Sequence, residues 1–194
     1  MLFRSSFALS GYDYRSCWDG DNGLYAVSKG SGLGSTINVM HFNQQGEPTW
    51  PSSVDVTNGG GQLGFGGNLS LLKDDEFNFY CVWDGNNGKI LAAKVDSGGN
   101  AIWPVSPKQV ADIASTQHDV DAFLAGGKIY ACWSDGRDAG QISLYVQRMD
   151  TSGAYEWSDD GVFAGVENLY SQHQLALSDS NSIVVAFKAQ NAHD

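Results

Sequence analysis

The chain has 194 residues, of which 22 are acidic and 11 are basic, so its formal net charge is -11. This excess of negative charge opposes binding to a nucleic-acid backbone or to the anionic face of a membrane, and we expect neither partner. No stretch approaches the roughly 18 consecutive apolar residues that a membrane-spanning helix requires. The 24 glycines, six tryptophans and eight tyrosines, beside only four prolines, are typical of many short strands joined by tight turns.

The N-terminal string MLFRSSFALSG has one arginine and a broken apolar run. It is too short and too polar for a convincing secretory signal, so an export signal was either removed or never present. The three cysteines, Cys17, Cys81 and Cys132, lack CxxC spacing and have apolar neighbours. We interpret them as buried small hydrophobic side chains rather than as a disulfide or a reactive thiol.

The string WDGDNG at residues 18–23 has a near twin, WDGNNG, at residues 83–88. If the two strings occupied equivalent positions of a repeat, the segment from the first string to Trp50 would be much longer than the segment from the second string to Trp103. Aligning LYAVS, directly after the first string, with IYACW at residues 129–133 removes this discrepancy. We therefore predict that the first string is the turn into the second strand of a repeat, and the second string is the turn leaving such a strand.

A turn followed by tryptophan occurs three times as [DN]-x-x-G-x-x-x-W, in NQQGEPTW, DSGGNAIW and DTSGAYEW. The tryptophans, Trp50, Trp103 and Trp157, recur at nearly equal intervals with a period of about 53 residues, in the range of known repeat architectures. Asp or Asn at the start of a turn accepts hydrogen bonds from the following amides, and glycine tolerates a positive φ three places later. The motif therefore predicts a hairpin connection repeated along the chain.

The strands around these turns also repeat. A first strand with a polar turn (NLSLLKDD, HDVDAFLAGG, HQLALSDSN) is followed by a second strand that is apolar on both faces (FYCVW, IYACW, IVVAF). A third strand (INVMHF, ILAAKV, LYVQRM) carries a basic or titratable residue near its end, and a fourth strand such as VFAGV follows the tryptophan. Four short antiparallel strands in each repeat predict an all-β chain, a β-propeller or partial propeller of about four blades.

We expect a single propeller-like domain over residues 1–194. Its blades span about 11–57, 62–111 and 115–166, with a partial fourth blade at about 169–194. Residues 1–10 are candidates for the outer strand that closes the fourth blade. Alternatively, the ring is completed by the rest of a longer chain or by a second copy, because an open sheet edge invites association.

The aromatic second strand ending in WSDGR, the third strand and turn LYVQRMDTSG and the following tryptophan resemble the propeller-type repeats of secreted or surface-attached bacterial proteins. The G-x-x-x-W element is similar to the tryptophan-docking motif of quinoprotein-like propellers. That resemblance implies that the indole packs between adjacent blades, and it implies an extracellular or cell-surface location. The repeat anchors are Trp50, Trp83, Trp103, Trp133 and Trp157.

The acidic loops are weak candidates for a metal site. A calcium loop of the EF-hand type needs D-x-[DN]-x-[DN]-G and a later glutamate. Asp19 and Asp21 in the first loop, and Asp84 and Asn86 in the second, supply two of these ligands, but a glycine stands at the third position. Hairpin turns are favoured over metal binding, and we expect no cofactor.

The dipeptide QH occurs at His118 and again at His173, close to one period later, near the start of the predicted first strand. If this strand is the innermost one, both histidines approach a central channel together with Asp119 and Asp121. Two imidazoles and a carboxylate are a possible zinc set. A polar position that makes hydrogen bonds between blades is favoured.

Carbohydrate binding would use an aromatic residue outside the period, such as Tyr155 or Tyr170. We interpret Arg137, between Asp135 and Asp138, as part of a structural ion pair. With no assembled catalytic set, the favoured function is a non-catalytic recognition or scaffolding module that binds a protein or a glycan. The alternatives are a fragment of a propeller enzyme, either a glycoside hydrolase or a quinone-dependent dehydrogenase, and a self-assembling subunit.

Overall fold

The structure is a computed structural model, and it describes residues 13–29, 36–58, 68–103, 107–138, 141–167, 173–178 and 182–187. In these ranges the secondary structure consists of strands and turns. None of the described segments forms a helix that is long and apolar enough to cross a membrane. The prediction of an all-β chain is therefore confirmed. Residues 1–10, which were candidates for a closing strand, lie outside the described part.

The strands form four antiparallel sheets, each built from one consecutive stretch of the chain. The first sheet contains β1 (Asp13–Trp18), β2 (Leu24–Lys29), β3 (Ile37–Phe42) and β4 (Val54–Asp55). The second contains β5 (Leu69–Lys73), β6 (Phe79–Asp84), β7 (Ile90–Val95) and β8 (Lys108–Gln109). The third contains β9 (Gln117–Ala125), β10 (Lys128–Asp135), β11 (Ile142–Asp150) and β12 (Val162–Glu167). The fourth contains β13 (His173–Leu177) and β14 (Ile183–Phe187).

The register of the twin loops is as predicted. The string WDGDNG at residues 18–23 joins β1 to β2, whereas WDGNNG at residues 83–88 joins β6 to β7. The two loops therefore lie at different turns of their sheets, and the similarity of their sequences reflects the shared chemistry of tight turns.

The second strands lie in the interior, as their apolar sequences predict. All six residues of β6 are buried, including Trp83, and seven of the eight residues of β10 are buried, including Trp133. Each of these strands pairs with a neighbour on both sides. Such a strand has apolar side chains on both faces because each face packs against an adjacent sheet.

The first strands lie side by side, with β9 packed between β5 and β13. Side-chain oxygens join them across the sheets. Ser70 Oγ in β5 accepts a hydrogen bond from Ala122 N in β9 at 3.1 Å, and Asp121 Oδ2 in β9 accepts one from Leu175 N in β13 at 2.8 Å. This arrangement places the first strands at the inner side of the sheets, where the candidate histidines were expected.

The repeated turn has the predicted chemistry in each of its three copies. Its first residue, Asn43, Asp96 or Asp150, accepts hydrogen bonds from the backbone amides two and four places later through one side-chain oxygen. The glycines that follow have positive φ, with values of 77°, 84° and 87° at Gly46, Gly99 and Gly153. The turn therefore needs both residue types.

The motif tryptophans connect one sheet to the next. Trp50 Nε1 in the first sheet donates to Ser97 O in the second at 3.0 Å, and Trp103 Nε1 in the second donates to Thr151 O in the third at 3.4 Å. Both indoles are buried, and they belong to two apolar clusters that hold neighbouring sheets together. Burial of each large apolar side chain contributes about 1.5–3 kcal/mol to the free energy of unfolding.

The cysteines behave as apolar side chains. All three are free thiols; Cys81 and Cys132 are buried and Cys17 is partly buried. Burial raises the pKa of Cys17 to about 11, so its thiol is protonated at neutral pH and is a poor nucleophile.

Candidate functional site

A polar site lies where β9 begins, beside the start of β5 and the end of β6. At its base is Asp84, the last residue of β6, whose side chain points into the protein. Asp84 Oδ2 accepts hydrogen bonds from Asp119 N at 2.9 Å and Asn68 N at 3.3 Å, and Oδ1 accepts one from Val120 N at 2.9 Å. These contacts fix the start of β9 against the second sheet.

The carboxyl group of Asp84 has a raised pKa because burial disfavours its charged form, although its three backbone hydrogen bonds act in the opposite direction. With 5% of its surface exposed, Asp84 has little room for a ligand. It therefore positions the neighbouring backbone, whereas the sequence analysis favoured a turn residue and kept Asp84 as a weak metal candidate.

Asp119 forms the exposed part of the site, with about half of its side-chain surface accessible. Its Oδ2 lies 2.8 Å from His118 Nδ1, and its Oδ1 accepts a hydrogen bond from Asn68 Nδ2 at 3.3 Å. The hydrogen bond with His118 lowers the pKa of Asp119, and the nearby His173 acts in the same direction. Asp119 is therefore a carboxylate at neutral pH.

The backbone of Asp119 has a φ of 58°, in the left-handed region that few residues other than glycine adopt. The contacts of its amide with Asp84 hold this conformation. A residue in this conformation costs free energy, so it persists only where the surrounding structure holds it in place. Such residues occur often at functional sites.

The structure therefore brings together three of the predicted site residues. His118 pairs with Asp119, and His173, buried at the start of β13, is close enough to Asp119 to act on its pKa. Among the described residues there is no group of three His, Cys, Asp or Glu side chains that could hold a metal ion. The zinc alternative thus has no ligand set in this part of the chain.

The inter-blade hydrogen bonds that were expected from the repeated QH pair are made by the glutamine in the third sheet. Gln117 is buried; its Oε1 accepts a hydrogen bond from Ile90 N at 3.0 Å, and its Nε2 donates to Asp135 Oδ2 at 3.3 Å. Its neighbour His118 faces outward instead, next to Asp119. Gln117 is therefore a structural residue, and His118 is a surface residue.

Other candidates lie elsewhere. The carboxylate of Asp121 accepts a hydrogen bond from Leu175 N in the backbone of β13, so it holds two sheets together. Tyr155 donates a hydrogen bond to Gln109 O at 2.8 Å, and Lys108 Nζ lies 4.3 Å from the centroid of its ring. One face of this ring is therefore covered by a lysine, and Tyr170 lies outside the described residues.

The first acidic loop acts as a turn. Asp19 is buried, and its Oδ1 accepts hydrogen bonds from Asp21 N at 2.7 Å and Gly23 N at 2.8 Å. Its Oδ2 lies 2.8 Å from His41 Nε2, a partnership that sequence reasoning missed. Asn86 lies in the turn between β6 and β7.

The ion pair between Arg137 and Asp135 is structural, as interpreted from the sequence. Arg137 binds buried Asp135 through two nitrogens, with Nε 3.0 Å from Oδ1 and Nη2 2.8 Å from Oδ2. Trp133 Nε1 also donates to Asp135 Oδ2 at 2.9 Å. Asp138 instead accepts a hydrogen bond from the hydroxyl of Ser143 at 2.6 Å.

Neither protein-family models nor curated proteins match the sequence. Solved structures do match the arrangement of its sheets. An endo-arabinase from Bacteroides thetaiotaomicron is similar over 89% of this chain and 68% of its own length, with a TM-score of 0.50 and 13% identity. The chain has a β-propeller fold.

Two further propeller matches are weaker. An alpha-L-arabinofuranosidase from Clostridium thermocellum has a TM-score of 0.43 and 16% identity, over 85% of this chain and 57% of its own. An exo-beta-1,3-galactanase from Phanerochaete chrysosporium has a TM-score of 0.42 and 15% identity, over 84% and 38%. This propeller thus spans about two thirds of the arabinase and a smaller share of the other two. The relation to quinoproteins stays a prediction.

Proposed function

We propose that this chain is part of a carbohydrate-active β-propeller, in which Asp119 contacts a sugar. The observation that carries the proposal is the half-exposed carboxylate of Asp119, which lies 2.8 Å from His118 Nδ1 and whose backbone is held at a φ of 58° by the contact of its amide with buried Asp84. A carboxylate fixed in this way beside a histidine is able to bind a sugar hydroxyl.

The two carboxyl groups contribute differently. Asp119 is ionised and half exposed, so it is able to accept a hydrogen bond or a proton from a sugar hydroxyl or from water. Asp84 is surrounded by three backbone donors and acts as a positioning residue. His118 orients the carboxylate of Asp119 through its Nδ1.

The glycoside hydrolase form of this proposal is supported by the propeller fold that the chain shares with an endo-arabinase. Hydrolysis needs two carboxyl groups on opposite sides of the scissile bond. Asp119 is the candidate for one of them.

Non-catalytic recognition of a glycan is the second candidate. It is favoured by the way the acidic side chains near Asp119 are engaged, since Asp84 and Asp121 both accept backbone hydrogen bonds between sheets. A site of this kind binds a sugar without cleaving it.

The test measures sugar release and binding with arabinan, β-1,3-galactan and their oligosaccharides. Asp119→Asn is the informative variant, because Asn tolerates a positive φ and keeps the backbone in place. Asp159→Asn removes the same charge from the exposed turn before β12 and serves as the control. We expect Asp119→Asn to reduce turnover at least 100-fold while Asp159→Asn leaves it unchanged.

Binding without sugar release that is lost in Asp119→Asn would support the recognition candidate. If the folded wild-type chain neither binds nor cleaves any of these glycans, the proposal is wrong.

A further inference from the structure

A carboxylate, an imidazole and a hydroxyl of the first sheet are joined by hydrogen bonds that end at the protein surface. Asp19 Oδ2 lies 2.8 Å from His41 Nε2, and His41 Nδ1 lies 2.7 Å from Thr49 Oγ1. Asp19 is buried in the turn between β1 and β2, His41 is partly buried in β3, and Thr49 is exposed between β3 and β4. Proteins use these three groups in this order to activate a hydroxyl as a nucleophile.

The charge of Asp19 decides where the protons lie. Burial raises the pKa of Asp19, but hydrogen bonds from Asp21 N, the imidazole and Gly23 N outweigh this effect and lower the pKa below its ordinary value of 3.8. Asp19 is therefore a carboxylate at neutral pH. In the neutral form of His41, Nε2 carries the proton and donates it to this carboxylate, so Nδ1 accepts the hydrogen bond from the hydroxyl of Thr49.

The neighbours of His41 and Thr49 hold both groups in place. The imidazole packs against Tyr25, its partner on β2, with 4.6 Å between ring centroids, and its centroid lies 6.0 Å from that of Trp50. Thr49 N donates to His41 O at 2.9 Å. Thr49 Oγ1 lies 3.3 Å from the same carbonyl oxygen, farther than the 2.7 Å to Nδ1. The shorter contact directs the hydroxyl proton to the imidazole.

The same backbone hydrogen bond recurs in the next two sheets, where it joins other side chains. Ile102 N donates to Lys94 O at 2.9 Å, and Glu156 N donates to Arg148 O at 2.8 Å. In the third sheet the two side chains form an ion pair, with Arg148 Nε 2.8 Å from Glu156 Oε2. Charged lysine and arginine have no acceptor atom for a hydroxyl proton. Of these three copies, the first is therefore the one that combines a base with a hydroxyl.

We propose that Thr49 is the nucleophile of a second site, which transfers the acyl group of a small carboxylic ester to Thr49 and then to water. Thr49 Oγ forms a bond with the acyl carbon, the bond from this carbon to the ester oxygen breaks, and His41 passes the hydroxyl proton to the departing alcohol. Water then attacks the acyl group, its proton returns through His41 to Thr49 Oγ, and the carboxylic acid leaves. Asp19 is the positioning residue that orients the imidazole.

The probe is p-nitrophenyl acetate, whose leaving group is coloured. The full chain is mixed rapidly with this ester, the release of p-nitrophenol is followed by absorbance, and the acetyl group is located by mass spectrometry of peptides. We expect a fast first phase of about one p-nitrophenol per chain, followed by slower release as water removes the acetyl group. During the first phase the acetyl group should lie on Thr49.

Thr49→Val is the decisive variant, because it removes the hydroxyl and keeps the shape of an exposed side chain. It should abolish the first phase, whereas Thr49→Ser, which retains a hydroxyl, should keep it. Thr116→Val makes the same change at another exposed threonine, in the segment before β9, and should leave the first phase unchanged.

His41→Gln keeps a polar side chain that is unable to take the proton, so it should slow the acetylation of Thr49 about 100-fold or more. Asp19→Asn should lower the maximal rate of acetylation without changing the ester concentration that gives half of this rate, because it disturbs the imidazole and not the contact with the ester. Circular dichroism confirms that the variants fold.

Three results would overturn the proposal. One is acetylation of amines but not of Thr49 in the folded wild-type chain. Another is a first phase that persists in Thr49→Val. The third is an equal rate of acetylation in folded His41→Gln, which would mean that these hydrogen bonds only hold β3 to the turn before β2.

Discussion

At the scale of single residues, the repeated turn motif joins two functions in one short string. Asp96 closes the turn by accepting amide hydrogen bonds, and Gly99 gives the turn its positive φ. The same glycine presents a flat backbone surface to Trp50 of the preceding sheet. Glycine is therefore required at position 99 for two reasons: the turn needs a positive φ there, and the ring of Trp50 leaves no room for a Cβ.

Gly99→Ala tests this double requirement. The new methyl group meets the ring of Trp50 and also forces a positive φ on alanine, so we expect the free energy of unfolding to fall by about 2–4 kcal/mol. Gly126→Ala is the control, because Gly126 also has a positive φ but no atom lies within 4 Å of the position that its new methyl group would take. It should lose only about 1 kcal/mol in urea denaturation. Equal losses in the two variants would mean that the contact with Trp50 contributes nothing.

Asp135 is the residue through which acid should act on stability. It is buried and bound by Arg137 and Trp133, and these contacts lower its pKa from 3.8 to about 2. A carboxyl group whose pKa is lower in the folded state stabilises the fold above its unfolded pKa, and this contribution is lost as the pH falls. We therefore expect the free energy of unfolding to decrease between about pH 4 and pH 2.

Asp135→Asn removes the charge that Arg137 needs. Arg137 then loses its buried carboxylate partner and keeps only Asp160, through the backbone oxygen at 2.8 Å and the exposed carboxylate at 3.8 Å. The variant should therefore lose about 3–5 kcal/mol at pH 7. Its stability should also fall less steeply between pH 4 and pH 2 than that of the wild type, as measured by urea denaturation across this range. Asp159→Asn, on an exposed turn, should leave both the stability and the slope unchanged; an identical slope in Asp135→Asn would contradict the assignment.

At the scale of elements, the position of a strand within its sheet decides how well it is protected. β10 pairs on both sides and is almost completely buried, whereas in the described residues β14 pairs only with β13 and has exposed alternate residues. Both strands have apolar sequences, so their composition does not explain the difference in burial. The difference follows from the strands and sheets that lie beside them.

Hydrogen–deuterium exchange of the unliganded chain should reflect this difference. We expect amides of β10 to exchange at least 100-fold more slowly than those of β14, because β10 opens only with the core of two adjacent sheets. β6 provides the comparison within the same chain and should resemble β10. Equal protection of β14 and β10 would show that another strand covers the edge of the fourth sheet.

At the scale of the whole molecule, the net charge of -11 is the dominant electrostatic property. Self-repulsion among exposed carboxylates opposes the compact state, and salt screens it. Raising sodium chloride from about 0.01 to 0.15 M shortens the screening length from roughly 30 to 8 Å.

We therefore expect the melting temperature to rise by a few degrees over this range of salt. Potassium chloride should give the same increase, because the effect depends on ionic strength rather than on a specific cation. A melting temperature that falls with salt would indicate that attractive ion pairs, such as the one between Arg137 and Asp135, outweigh the repulsion.

The fold was predictable because it rests on local rules that the sequence repeats. Turn residues, apolar second strands and the regular spacing of the motif tryptophans together determined the order of strands and the propeller architecture. The register of the two acidic loops followed from the same spacing. These features depend on contacts between residues that are close in the chain, or on burial patterns with a fixed period.

The candidate site was predictable only in part. His118, Asp119 and His173 were identified from one repeated dipeptide and its neighbours. Asp84 was interpreted as a turn residue or, less favoured, a metal ligand, and Asn68 was not considered. Asp84 and Asp119 belong to different repeats of the chain, and only the packing of β6 beside β9 brings the carboxyl group of Asp84 to the amide of Asp119.

The sequence by itself therefore determined the repeating strands, their turns and the residues that anchor one sheet to the next, since these obey short-range conformational and periodic constraints. Only the tertiary structure decided which carboxyl groups are buried, which ones meet across sheets and how strongly each strand is buried. Those properties arise from the positions of neighbouring sheets, and distant segments of the chain create them.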